Sequence, residues 1–99
     1  MNVAFTFHEY SIGVSVQLFE SDAIDRIFNK LVKKDKLQFG ILSRKIKEIL
    51  ENPQIGKSLT ANMTGQRRVH IRNFVLTYEV LENEKTVRLL DYDHHDNIY

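Results

Sequence analysis

QRRVHIRNFVLTYEVLENEKTVRLLDY, residues 66–92, decides the fold of this 99-residue chain. Val69 and Ile71 alternate with Arg68, His70 and Arg72, so the run reads as a strand with one buried and one basic face. Period two places Arg67 on the opposite side from that basic trio. Asn73 turns the chain into a second strand over 74–80, and Glu82-Asn83-Glu84 turns it into a third over 86–92. Phe74, Tyr78 and Tyr92 read as packing residues of this sheet rather than as stacking platforms.

Upstream, the periodicity changes from two to 3.6. Ser21 followed by Asp22 is a helix start, a hydroxyl cap and then an acid in the first turn. Ala23, Ile24, Ile27, Phe28, Leu31 and Val32 form one apolar stripe, ending around Lys34 to Lys36. Phe39, Leu42, Ile46, Ile49 and Leu50 form a second stripe, which Asn52-Pro53 stops. Two amphipathic helices with a short charged break predict an antiparallel hairpin. Residues 14–19 (VSVQLF) read as a strand before it, residues 54–65 as mostly loop, and residues 1–13 as an extra edge strand or a loose arm. The order strand, helix, helix, strand, strand, strand predicts an α+β fold: an N-terminal strand and a two-helix antiparallel hairpin packed on a mainly antiparallel four-stranded sheet. No repeat or linker interrupts it, so residues 1–99 are expected to be one domain.

Composition narrows the setting. There is no cysteine, which excludes disulfides and thiolate metal ligands and suits a reducing cytoplasm. No apolar run approaches the ~20 residues of a membrane helix, and Glu9 sits in a start that lacks a positive leader, so no membrane or export role is expected. The net charge of +1 conceals segregation. Residues 29–48 hold seven basic side chains against two acidic ones, and residues 54–78 hold four basic ones and no acid. Residues 79–99 hold six acids against two bases. Such asymmetry suits a polyanion-binding face, and equally a solvated helix surface.

The chain closes on DHHDNIY, residues 93–99. Histidine titrates near neutral pH, tyrosine donates or accepts a proton, and arginine grips phosphate in a bidentate fork. Arg68, His70 and Arg72 on one strand face, with Lys57 joining from the preceding loop, are candidate phosphate ligands. His94, His95 and Tyr99 are candidate proton-transfer groups; the two histidines follow the third strand side by side, so at most one enters a given groove. Asp91, Asp93 and Asp96 flank them, but neighbouring residues seldom converge on one ion, so no metal centre is expected.

The helical hairpin, ENPQIGKSL at 51–59, a glycine-containing loop, RRVHI, FVLTYEV and the closing HHDNIY together resemble the RelE/ParE toxins of type II toxin–antitoxin systems. The resemblance runs from about Val14 to Tyr99. It implies a cognate antitoxin as partner and no cofactor. For the RelE branch it implies a ribosome-dependent messenger-RNA endonuclease, in which the ribose 2′-OH attacks the adjacent phosphate without a metal. Arg68, Arg72, His70 and Lys57 would then hold phosphate, and His95, Tyr99 and His94 would move protons or stabilise charge. For the ParE branch it implies a non-catalytic inhibitor of DNA gyrase, and an inactive homologue that only binds its antitoxin stands beside it. The RelE branch usually carries an arginine where this chain has Val75, and often another where His95 stands. Fold likeness alone does not choose between the branches.

Overall fold

The computed structural model describes residues 17–59 and 65–98. The elements run β1 (Gln17–Glu20), α1 (Asp22–Lys34), α2 (Lys36–Glu51), a 3₁₀ turn (Pro53–Ile55), β2 (Lys57–Ser58), β3 (Gln66–Ile71), β4 (Phe74–Leu81), a second 3₁₀ turn (Glu82–Glu84), β5 (Thr86–His94) and α3 (His95–Ile98). They build one five-stranded sheet in the order β1-β5-β4-β3-β2. β1 pairs parallel to β5, and every other neighbour is antiparallel. The fifth strand is β2, two residues inside the stretch read from sequence as loop; so short a run carries no periodicity to detect. The predicted strand at 14–19 is seen from Gln17 on, and its first residues, like 1–13, lie outside the described part.

Local chemistry accounts for the boundaries. Ser21 Oγ accepts the Ile24 amide at 3.2 Å and caps α1, with Asp22 and Asp25 in the first turn facing the positive end of the helix. Asp35 serves two helices at once. Its amide donates to Leu31 O at 2.8 Å, closing α1, and its carboxylate accepts the Gln38 amide at 3.0 Å, opening α2. That single non-helical residue lets the chain reverse as a hairpin. Asn52 ends α2, and its side chain accepts the Gln54 amide at 3.2 Å to start the 3₁₀ turn at Pro53.

Both helices cover one face of the sheet. Ile24 and Phe28 from α1 and Leu42, Ile46, Ile49 and Leu50 from α2 pack on Val69, Ile71, Leu76, Tyr78, Val87, Leu89 and Tyr92. Phe28 meets Phe39 and Tyr92 edge-on, with ring centroids 6.5 and 6.0 Å apart, and Tyr92 stacks on Phe74 at 5.0 Å. Gln38 is the polar exception on this side; its amide donates to Tyr92 Oη at 2.7 Å.

A bulge sets the facing of β5. Thr77 pairs with Asp91 but Tyr78 with Leu89, so Leu90 is the extra residue. Upstream of it Val87 and Leu89 face the helices; downstream of it Tyr92 does, although simple alternation from Leu89 would have sent Asp91 and Asp93 inward. Among the described residues no helix is long and apolar enough to cross a membrane.

Glu20, where β1 meets α1, is half-buried and hydrogen-bonds the Asp25 carboxyl. Burial, then that bond and the nearby Asp25 charge, push its pKa from 4.5 up to about 8. The folded state therefore holds this proton across a range in which the unfolded chain releases it. Its stabilisation is complete below about pH 4.5 and is lost as pH rises toward 8. Because the carboxyl is partly solvated, the expected loss is only on the order of 1–2 kcal/mol. Urea unfolding at about pH 5 and about pH 8.5 should show the midpoint falling with pH in the wild type, and Glu20→Gln should flatten that fall; an equally steep fall in the variant would refute the assignment.

Candidate functional site

The face of the sheet turned away from the helices carries Gln66, Arg68 and His70 from β3, opposite Glu79, Thr77 and Val75 of β4. Lys57 of β2 stands directly opposite Arg68, so both point to this face. Directly opposed residues have Cβ atoms only about 5 Å apart, and two cations at that spacing repel unless an anion lies near them. Farther across, Glu79 and Arg88 are opposed on β4 and β5 and form an ion pair. Val75 is fully buried on this face and Thr77 nearly so, which gives the strip between β3 and β5 an apolar centre.

At one end of the face β5 runs into α3. The His95 amide donates to Asn73 O at 2.8 Å, which fixes its backbone beside the β3–β4 turn. The His95 ring then lies 6.2 Å, centroid to centroid, from the ring of His70. Both are exposed. Asp93 anchors α3: its Oδ1 accepts the His94 amide at 2.7 Å and the Asn97 side-chain amide at 3.0 Å. Those two bonds hold the Asp93 carboxyl below the usual carboxylate range, aided by the neighbouring His94. Asp96 Oδ1 reaches His95 Nδ1 at 3.1 Å, a contact that orients the imidazole.

All but one of the residues named from sequence have a definite place. Lys57, Arg68, His70 and His95 come together along this face. His94 does not join them. Its ring packs edge-on against Phe74 at 5.4 Å, on the helix side, and its Nδ1 accepts the Asp96 amide at 3.2 Å. Arg72 corrects the period-two reading of β3. The strand stops at Ile71, and Arg72 opens a two-residue hairpin turn with φ +60°, which breaks the alternation. Its guanidinium turns to α2, with Nη1 3.5 Å from Gln38 Oε1, away from Arg68 and His70. Tyr99 lies outside the described residues. Among the described residues, no group of three or more His, Cys, Asp or Glu comes together to hold a metal.

Sequence reasoning missed what supports the face from behind. Tyr78 Oη donates to Pro53 O at 2.7 Å and accepts the Gly56 amide at 2.9 Å. Arg67, pointing to the helix side as its parity predicts, donates to Gly56 O at 2.8 Å and Gln54 O at 3.2 Å and also bonds the Gln54 side chain. Burial raises the Tyr78 pKa above the usual phenol value, which keeps its hydroxyl protonated as a donor. The run ENPQIG preceding a strand was the visible signal; its partner 22 residues on was not. A groove of about 630 Å³ also opens between α1, the start of α2 and the last residues of β5, floored by Ile27, Leu31, Phe74 and Tyr92.

A profile of the ParE toxin of type II toxin–antitoxin systems, parDE, matches residues 21–99. The chain belongs to the RelE/ParE toxin family. Two archaeal relatives agree. An uncharacterised protein of Methanosarcina mazei is 49% identical over 77 residues, 77% of this toxin and 90% of that protein. The candidate toxin RelE4 of Methanocaldococcus jannaschii is 45% identical over 78 residues, 78% of this toxin and 83% of that one. The fold matches that of Escherichia coli RelE, solved free with two arginines replaced by alanine, with a TM-score of 0.70 at 19% identity over 84% of this toxin and 86% of RelE. It also matches YoeB in the Staphylococcus aureus YoeB–YefM complex, with a TM-score of 0.65 at 20% identity over 83% and 99% of the two chains. The helical hairpin on a mainly antiparallel sheet, expected from sequence, is thus the RelE/YoeB fold.

Proposed function

We propose that this toxin is a ribosome-dependent messenger-RNA endonuclease of the cytoplasm, silenced by a cognate antitoxin protein. The observation that carries the reading is the pair of exposed imidazoles, His70 and His95, 6.2 Å apart at the end of a face that also bears Arg68 and Lys57. Cleavage by an internal nucleophile needs a base for the ribose 2′-OH, an acid for the departing 5′ oxygen, and positive charge for the phosphate between them. Two imidazoles that reach one phosphodiester supply the proton transfers. As the 2′ oxygen bonds to phosphorus, the bond to the 5′ oxygen breaks, one imidazole having taken a proton and the other giving one. Arg68 and Lys57 offset the charge that builds on the phosphoryl oxygens. Strands of one hydrogen-bonded sheet carry His70, Arg68 and Lys57, which suits catalysis by positioning. An antitoxin partner is favoured by the relatives, since YoeB was solved with YefM as a toxin–antitoxin assembly.

A second reading has its own support. The matching profile is that of ParE, and the centre of the face is the buried apolar Val75 rather than a cation. In that reading the toxin binds DNA gyrase and cleaves nothing. Purified toxin added to ribosomes translating a defined message should leave cut messages, mapped by primer extension, and should leave gyrase supercoiling untouched. Intact messages with blocked supercoiling would replace the first reading by the second. Co-expression of a cognate antitoxin should restore growth.

A further inference from the structure

We infer that Arg67 and Tyr78, both turned away from the cationic face, are positioning residues for Lys57 upon it. This rests on reading Lys57, Arg68, His70 and His95 as the surface that holds the RNA phosphates.

β2 is two residues long and, among the described residues, pairs with β3 alone. Its pairing sets Lys57 directly opposite Arg68, and like charges directly opposite one another weaken a strand pair. What opposes that lies on the other side of the sheet. The residue before Lys57 is Gly56, and both of its backbone polar groups are taken: the N–H by Tyr78 Oη at 2.9 Å and the C=O by Arg67 Nη1 at 2.8 Å. Tyr78 Oη also grips Pro53 O at 2.7 Å, and Arg67 also grips Gln54 O at 3.2 Å. Downstream, the Leu59 amide donates to Gln66 O at 3.0 Å. The peptide entering β2 is thus fixed at 53–56 by side chains from β3 and β4, and Lys57 has little backbone freedom left. Tyr78 is itself fully buried in the core. Arg67 and Arg68 are adjacent in sequence and differ by parity, the first fixing the backbone that enters β2 and the second standing on the cationic face opposite Lys57.

The test uses the full chain and a labelled single-stranded RNA oligonucleotide without ribosomes, with affinity measured across a series of salt concentrations. Each phosphate contact on a single strand adds about 0.7 to the slope of log affinity against log salt. Lys57→Ala should weaken binding and flatten the slope by about that amount. Tyr78→Phe should do the same while its side chain still fills the core. Arg67→Met, which keeps the apolar stem of a partly exposed residue, repeats the test where Tyr78→Phe fails to fold. Either change combined with Lys57→Ala should give no further flattening, because all act through one contact. A wild-type slope in folded Arg67→Met and Tyr78→Phe, beside a flattened one in Lys57→Ala, would overturn the positioning role. So would an unchanged slope in Lys57→Ala. Loss of RNA cleavage from the proposed function would not touch these outcomes, since binding alone is read.

Discussion

Alanine at position 95 is expected to slow message cleavage by about 10²–10⁴-fold, the usual contribution of one positioned proton-transfer group. Three features make the test clean. The backbone there is held through the His95 amide on Asn73 O, so deleting the imidazole leaves that anchor in place. The ring is half exposed and contributes little buried area, so thermal stability should stay near that of the wild type. Its neighbour across the gap is His70, and loss of either ring removes half of the proposed proton-transfer pair. His70→Ala should therefore fall into the same range, and the double variant should be far from the product of the two singles. Single-turnover cleavage on stalled ribosomes separates the chemical step from ribosome binding, and the loss should sit in the rate constant rather than in half-saturation. His94→Ala is the natural comparison. It removes a ring packed on Phe74, so it should lower the melting temperature while leaving cleavage close to the wild-type rate. Cleavage by His95→Ala at the wild-type rate would end the catalytic assignment of that residue.

The second large effect is expected from Gly56→Ala, one methyl group on the concealed side of the site. The backbone there is ordinary, with φ −72° and ψ 152°, so strain plays no part. Space does. An added Cβ would sit 2.5 Å from Tyr78 Oη, 2.8 Å from its Cε1 and 3.0 Å from Arg67 Cβ. Tyr78 cannot yield, because its ring is fully buried and its hydroxyl holds Pro53 and Gly56 together. The 53–56 turn must move outward instead, breaking both hydroxyl bonds and disturbing the Arg67 contacts. Overpacking of this kind costs about 1–3 kcal/mol and a buried group left unsatisfied about 1–3 kcal/mol. The sum expected is roughly 2–6 kcal/mol, a large part of the roughly 5–15 kcal/mol that stabilises a domain. Urea unfolding followed by circular dichroism would measure it. A loss below about half a kcal/mol, the range of an ordinary surface change, would mean that the turn is looser than these distances require.

Much of the fold was legible because it depends on local codes. The apolar stripes of α1 and α2, the Ser21 cap and the Asn52-Pro53 stop each act within a few residues, and each appears where the sequence puts it. The alternation of β3 likewise places Val69 and Ile71 inward and Arg68 and His70 outward. The code fails where geometry changes parity without changing composition. Arg72 has the spacing of a third outward cation, but a tight turn needs a positive φ just there, and the side chain swings toward Gln38. Lys57 reached the basic face through a two-residue strand that exists only because β3 is beside it. The nearness of His70 and His95, 25 positions apart, follows from the path of three strands and the anchoring of α3, which no local pattern records.

Leu90 sets which side chains face the proposed site, although it is not one of them. By adding one position to β5 it acts as a change of reading frame in three dimensions, since every side chain after it is assigned to the face its neighbour would otherwise occupy. In the sequence LDYDHH the frame decides whether the core receives Tyr92 or two carboxylates. It also decides which of two chemically identical histidines packs on Phe74 and which leads into the helix beside His70. A one-residue insertion or deletion elsewhere in β5 would exchange their duties while leaving the composition of the tail unchanged. Comparing this tail with another by residue type alone therefore aligns letters; the face that each side chain occupies is found by counting from the bulge.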